Sequence, residues 1–137
     1  MIVEQLIIHC SDTPAGRDVS AEEIRRWHVE GNGWRDIGYH YVIRLDGTLE
    51  KGRNDNEQGA HARGHNHNSL GICMVGGTEG ATFTAAQWRT LEGLVGTLLC
   101  QHQGAKVIGH NQVSEKQCPC FDVSTWAQDF KIKEVTQ

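Results

Sequence analysis

Proline is almost missing from this chain: among 137 residues it occurs only at positions 14 and 119. Without a Pro or Ser run, an internal repeat or a low-complexity stretch, nothing in the sequence reads as a linker. The length suits one domain over residues 1–137 rather than two well-stabilised ones. Long apolar runs are missing too, so no segment reads as a membrane span. The opening Met1-Ile2-Val3-Glu4-Gln5-Leu6-Ile7-Ile8-His9 carries an acid where an export signal carries positive charge, and its apolar run is too short for a signal core. A chain made and folded in a cytoplasm is the expectation. There, five cysteines, an odd number, are more readily thiols or metal ligands than a disulfide framework. No basic run occurs and the formal charge is −4, which argues against nucleic acid as a main partner.

Strand and helix signals alternate along the chain. Leu6 to Ile8 reads as a buried strand with His9 at its C-terminal end. Ser20 with Glu23 fits a capping box opening a helix to about Glu30 that buries Ile24 and Trp27 and stops at Gly31 and Gly33. Alternation from Tyr39 to Leu45 followed by Asp46-Gly47 predicts a hairpin whose partner strand covers about Thr48 to Lys51. Residues 54 to 69 are polar and aperiodic, as a functional loop would be. Leu70 to Val75 reads as a central strand ended by Gly76-Gly77. Thr84 and Gln87 form a second capping box, with Phe83 and Trp88 as a hydrophobic staple and Trp88, Leu91, Val95, Leu98 and His102 on one face. After Gly104, Val107 and Ile108 give a short strand, then a loop carrying His110 to Cys120, then a helix from Asp122 or Ser124 to about Lys131. Such interleaving implies an α/β domain, a mixed sheet covered by helices.

His9, His110 and Cys118 offer two imidazoles and a thiolate, three ligands where a closed structural zinc site has four, which leaves a position for water. Seven residues separate His110 from Cys118, so these two belong to a loop folded back on itself. If the strand before that loop lies beside the first, His9 reaches the same point. Eight histidines and five cysteines permit other trios. His61, His65 and His67 form a denser cluster, and His65-Asn66-His67 could chelate, although a polar surface loop explains them as well. Cys118-Pro119-Cys120 has a spacing that strains a disulfide and reads as one ligand beside a bystander thiol. Cys10, Cys73 and Cys100 read as buried inert thiols, His28 and His102 as helix-face residues, and Trp27, Trp88 and Trp126 as core. Trp34, after Gly33, is a candidate exposed stacking surface.

Taken in order, Ile8-His9-Cys10-Ser11, Gly38-Tyr39-His40-Tyr41-Val42-Ile43 with Asp46-Gly47, His67-Asn68-Ser69-Leu70-Gly71-Ile72, His110, Lys116-Gln117-Cys118-Pro119 and Phe121-Asp122 resemble the zinc-dependent N-acetylmuramoyl-L-alanine amidases. These are the type 2 amidases, related to peptidoglycan recognition proteins, and the likeness is strongest to the phage lysis enzymes among them. It runs from about Leu6 to Trp126. The resemblance implies a single-domain mixed β-sheet flanked by about three helices, with one zinc ion in a surface cleft held by His9, His110 and Cys118. It also implies Tyr39 and Lys116 as catalytic residues and bacterial peptidoglycan as substrate. His61 and Trp34 become candidate substrate contacts, and His40 a supporting or structural residue. A phage or prophage endolysin would act from the host cytoplasm after a holin-type membrane lesion, as a monomer by default. In one phage member a longer N-terminal tail helps bind and inhibit phage RNA polymerase, and the short segment here makes that partner doubtful. Cys120 stands where a small residue is usual. The rival within the same likeness is a module that grips peptidoglycan without cutting it.

Overall fold

The computed structural model describes residues 1–80 and 82–136, with side chains described as far as Asp129. Five strands form one sheet in the order β3-β2-β4-β1-β5. Strands β1 (Gln5–Cys10), β4 (Ser69–Met74) and β5 (Lys106–Gly109) run parallel, as do β2 (Tyr41–Ile43) and β4. The antiparallel edge strand β3 (Leu49–Lys51) joins β2 through the expected hairpin. Its turn is closed by Arg44 N–H donating to the Thr48 carbonyl at 2.9 Å, with Gly47 at φ 88°, a left-handed position that glycine fills without a steric cost.

Every residue of β4 is buried, as befits the central strand of a sheet covered on both faces. On one face Leu6, Ile8, Ile43, Leu70, Ile72 and Met74 pack against Leu91, Leu94, Val95 and Leu98 of α2 (Ala85–Gln101) and against Val123 and Ala127 of α3 (Val123–Thr136). Thr84 and Gln87 complete the reciprocal cap, and Phe83 meets Trp88 edge-on at 5.7 Å as the staple. Gln87 then does a second job: its buried Nε2 donates to the carbonyls of Ile43 and Val75, tying α2 to the ends of two strands. A separate cluster of Val19, Ala21, Ile24, Ile37, Val42, Cys73 and Val75 fills the other side under α1 (Ala21–Arg26).

Several expectations need correction. Trp27 is 40% exposed rather than core. The inward stripe of α1 runs from Ala21 and Ile24 to His28, and a π-helical turn over Trp27–Gly31 leaves the indole outside, where Arg17 lies over its ring. Ser20 caps α1 by accepting from Glu23 N–H, while the Glu23 carboxylate pairs with Arg17, so only half of the capping box forms. Cys100 is exposed, on the outer side of α2. The second strand is shorter than its alternation suggests, because regular pairing begins only at Tyr41. Asp122 is the cap of α3, accepting from Thr125 N–H, and the helix extends to Thr136.

Candidate metal centre

Parallel strands end on the same side, and functional groups collect beyond those ends. Strand β1 lies between β4 and β5, so His9 near its C-terminus faces the loop that leaves β5 at His110. That loop is folded on itself by short-range bonds. Gln112 Oε1 accepts from Gly109 N–H at 2.8 Å, Ser114 Oγ donates to the His110 carbonyl at 3.0 Å, and Cys120 N–H donates to the Gln117 carbonyl at 2.6 Å. Phe121 anchors its far end by packing edge-on against Trp88 at 4.9 Å. The outcome is that one ligand atom from each of His9, His110 and Cys118 lies within 4.8 Å of the others.

The donor set fits a soft-to-borderline divalent ion such as zinc. Burial, followed by the neighbouring charges of His61, His110 and Lys116, pushes His9 well below the ordinary imidazole range, so it offers a lone pair. His110 is lowered by burial and then by Lys116. The Cys118 thiol is held below its usual value first by its hydrogen bond with the Cys10 side chain and further by Cys10 N–H at 3.1 Å, against the effect of burial. All three groups are thus biased toward the protonation states that bind metal. The same contacts give Cys10 a role the sequence did not suggest: it is buried, as expected, but its main chain and thiol both steady the candidate ligand. Cys120 sits next to this group with its thiol 3.3 Å from the Gly77 carbonyl.

Tyr39 is brought to the trio, its ring 5.1 Å from that of His9. Burial raises its phenol well above the ordinary value, so at neutral pH it carries its proton and acts as a donor. Lys116 borders three cavities, two of which are also lined by residues of this group. One, of about 490 Å³, is lined by Asp12, Tyr39, Glu79 and Cys118 among others. The other, of about 430 Å³, is lined by Trp34, His61, Arg63, His110 and Ser114. Lys116 is the lining residue that these two cavities share. Trp34 is 37% exposed, its ring tilted against that of His28 at 4.7 Å, and it lines the second cavity, so an aromatic surface does face it.

His61 lines that cavity and also reaches inward. Its Nδ1 is 2.9 Å from His9 Nε2, and its Nε2 is 3.2 Å from Ser69 Oγ. Its ring occupies a slot made by two missing side chains: a Cβ on Gly71 would stand 2.6 Å from the imidazole, and one on Gly59 2.7 Å from it. His40 is structural here. It accepts from Gly71 N–H at 3.0 Å, lies 2.7 Å from the Glu57 carbonyl, and packs edge-on behind His61. His65 and His67 do not join the group; His65 bonds Gln5 and His67 is exposed. Sequence reasoning passed over Ser69 and Gly71 as functional, although both lie inside the His67-to-Ile72 segment that carried the family likeness.

Comparison with known proteins agrees with this geometry. The N-acetylmuramoyl-L-alanine amidase family profile matches residues 1–121. The endolysin of Escherichia phage T7 is 44% identical over 128 residues, covering 90% of this chain and 84% of its own length. Peptidoglycan-recognition protein SC2 of Drosophila melanogaster is 34% identical over 126 residues, covering 87% of this chain and 68% of its own. Among solved structures, the amidase LysC from Clostridium intestinale URNW superposes with a TM-score of 0.83 at 27% identity, covering 96% of this chain and 84% of that one. The sheet, the site and the similarity along nearly the whole sequence lead to one assignment: the chain belongs to the N-acetylmuramoyl-L-alanine amidase family.

Proposed function

We propose that this chain is a zinc-dependent endolysin that hydrolyses the amide between N-acetylmuramic acid and L-alanine in bacterial peptidoglycan, with residues 1–137 forming one catalytic domain. The observation that carries the reading is the convergence of His9, His110 and Cys118 within 4.8 Å at the strand end, beside Tyr39 and in a cleft bordered by Lys116. A zinc ion held by those three side chains would supply Lewis acidity, easing ionisation of water at neutral pH and polarising the scissile carbonyl.

The rest of the chemistry falls to the chain. Hydrolysis adds hydroxyl to the carbonyl carbon and a proton to the departing alanine nitrogen. Lys116, lining the cavities on both sides of the site, brings a cation to the oxygen that gains negative charge and can hand a proton to the leaving amine. Tyr39 keeps its proton and orients the attacking water or the carbonyl through Oη–H. Trp34 and His61 form one wall of the cleft and contact the substrate there. The endolysin likeness supports a route to the wall from the host cytoplasm through a holin-type lesion; a monomer is the default oligomeric state.

The test is chemical. Purified peptidoglycan treated with the protein should release new L-alanine N-termini; chelation should stop the release and zinc should restore it. Wall binding without new amines would replace this reading with a binding module, and full activity in Cys118→Ser would remove that residue from the ligand set.

A further inference from the structure

His9 stands between two other imidazoles, with ring centroids 4.9 Å from His61 and 4.4 Å from His110. His110 belongs to the candidate ligand set and His61 does not. We infer that Ser69 and His61 form a hydrogen-bond relay that fixes the ring proton of His9 on Nε2 and so selects Nδ1 as its metal ligand. The inference rests on the metal reading given above and adds two positioning residues to it.

The direction of each bond follows from the one before it. Ser69 Oγ lies 2.6 Å from the His65 carbonyl, which can only accept, so the single hydroxyl hydrogen is committed there. Toward His61 Nε2, 3.2 Å away, Ser69 Oγ must therefore accept, which puts the ring hydrogen of His61 on Nε2. A neutral imidazole carries one such hydrogen, leaving His61 Nδ1 bare. That bare nitrogen is 2.9 Å from His9 Nε2, so His9 is the donor in this bond. With its hydrogen on Nε2, His9 retains a lone pair on Nδ1 alone.

The relay is held from several sides. Asn66 Oδ1 accepts from both His61 N–H and Ala62 N–H at 2.9 Å, fixing the backbone that carries the ring. The slot between Gly59 and Gly71 leaves the imidazole little room to swing, and His40 closes it from behind. Metal-binding histidines commonly donate their second ring N–H to a carboxylate, carbonyl or water, and such partners set both tautomer and orientation. Here a neutral His–Ser pair does it, without adding negative charge beside a thiolate.

Long-range 15N–1H correlation spectra of the metal-free protein read the tautomer directly, before any variant is made. His9 should appear with its hydrogen on Nε2; a hydrogen on Nδ1 overturns the relay. Zinc affinity, measured by competition with a chromogenic chelator, gives the second readout. His61→Ala should weaken binding about 10- to 100-fold. His61→Gln should recover most of the loss, since a carboxamide presents an acceptor and a donor at nearly the spacing of two ring nitrogens. Ser69→Ala should weaken binding less than His61→Ala. Wild-type protein that binds no zinc sinks the metal reading, and the ligand selection with it. Wild type that binds zinc while His61→Ala binds equally tightly, with unchanged thermal melting, sinks the relay alone.

Discussion

Neighbouring residues of β1 serve opposite environments. Ile8 enters the apolar cluster under α2 and α3, whereas His9 joins a layer of imidazoles, a phenol and thiols. Both are buried to the same degree, yet burial stabilises one face and costs the other. The apolar face gains from leaving water, roughly 1.5–3 kcal/mol per large side chain. The polar face is tolerable only because its groups find partners, as His40 does with Gly71 and Glu57 and His61 does with His9 and Ser69. The contrast teaches that fold stability and chemistry are largely separable in this molecule, even along a single strand.

That separation can be broken or sharpened experimentally. The largest effect belongs to the polar face: Cys118→Ser, or chelation, should lower turnover about a thousandfold or more, as loss of several kcal/mol of transition-state stabilisation requires. Peptidoglycan amine release measures it. Lys116→Met should cost about a hundred- to thousandfold in kcat with little change in melting, the scale seen when one charge-stabilising donor is removed. On the apolar face the pattern should reverse. Leu91→Ala, at a fully buried position, should cost about 2–5 kcal/mol in urea unfolding while the folded fraction keeps normal kcat.

Acid should discriminate between the faces as well. Burial first, then the charges of His40 and His110, depress His61 to about 3. Its unfolded-state value is about 6.5, so between those limits the unfolded chain binds the extra proton. Metal-free protein should therefore be fully stable in this respect above pH 6.5 and lose stability progressively as pH falls from there toward 3. His61→Gln should make that profile shallower, the remaining slope coming from the other buried imidazoles, and an unchanged slope would show that the ring is not kept neutral by the fold. The smallest effect is Thr84→Ala, which removes one half of the α2 capping box and should cost ~1 kcal/mol with no change in catalysis.

Local grammar made much of the fold readable. The α2 capping box, the Asp46-Gly47 turn and the apolar strand at 70–75 depend on residues a few positions apart, and each forms. The approach of His9 to His110 was readable by one further step, because parallel strands align their ends. What was not readable depends on distant partners. The His9–His61 bond spans 52 positions, and nothing local distinguishes His61 from His65 or His67. Trp27 misled because an i+3 and an i+4 continuation from Ile24 are equally regular on paper, and the π-helical turn chose His28. The outward turn of Cys100 shows the same weakness of inferring burial from apolar neighbours alone.

Gly71 carries the broadest implication. It is paired in the centre of the sheet, has no titratable group and would not draw notice in a search for active-site residues. Any side chain added there would collide with His61, so drift at position 71 is closed by a reaction in which that residue takes no part. An engineer repacking this sheet for thermostability would be tempted to replace a strand glycine with alanine or valine. The substitution would look harmless in the hydrophobic core, yet it would push His61 from its slot and, on the metal reading proposed above, weaken zinc binding.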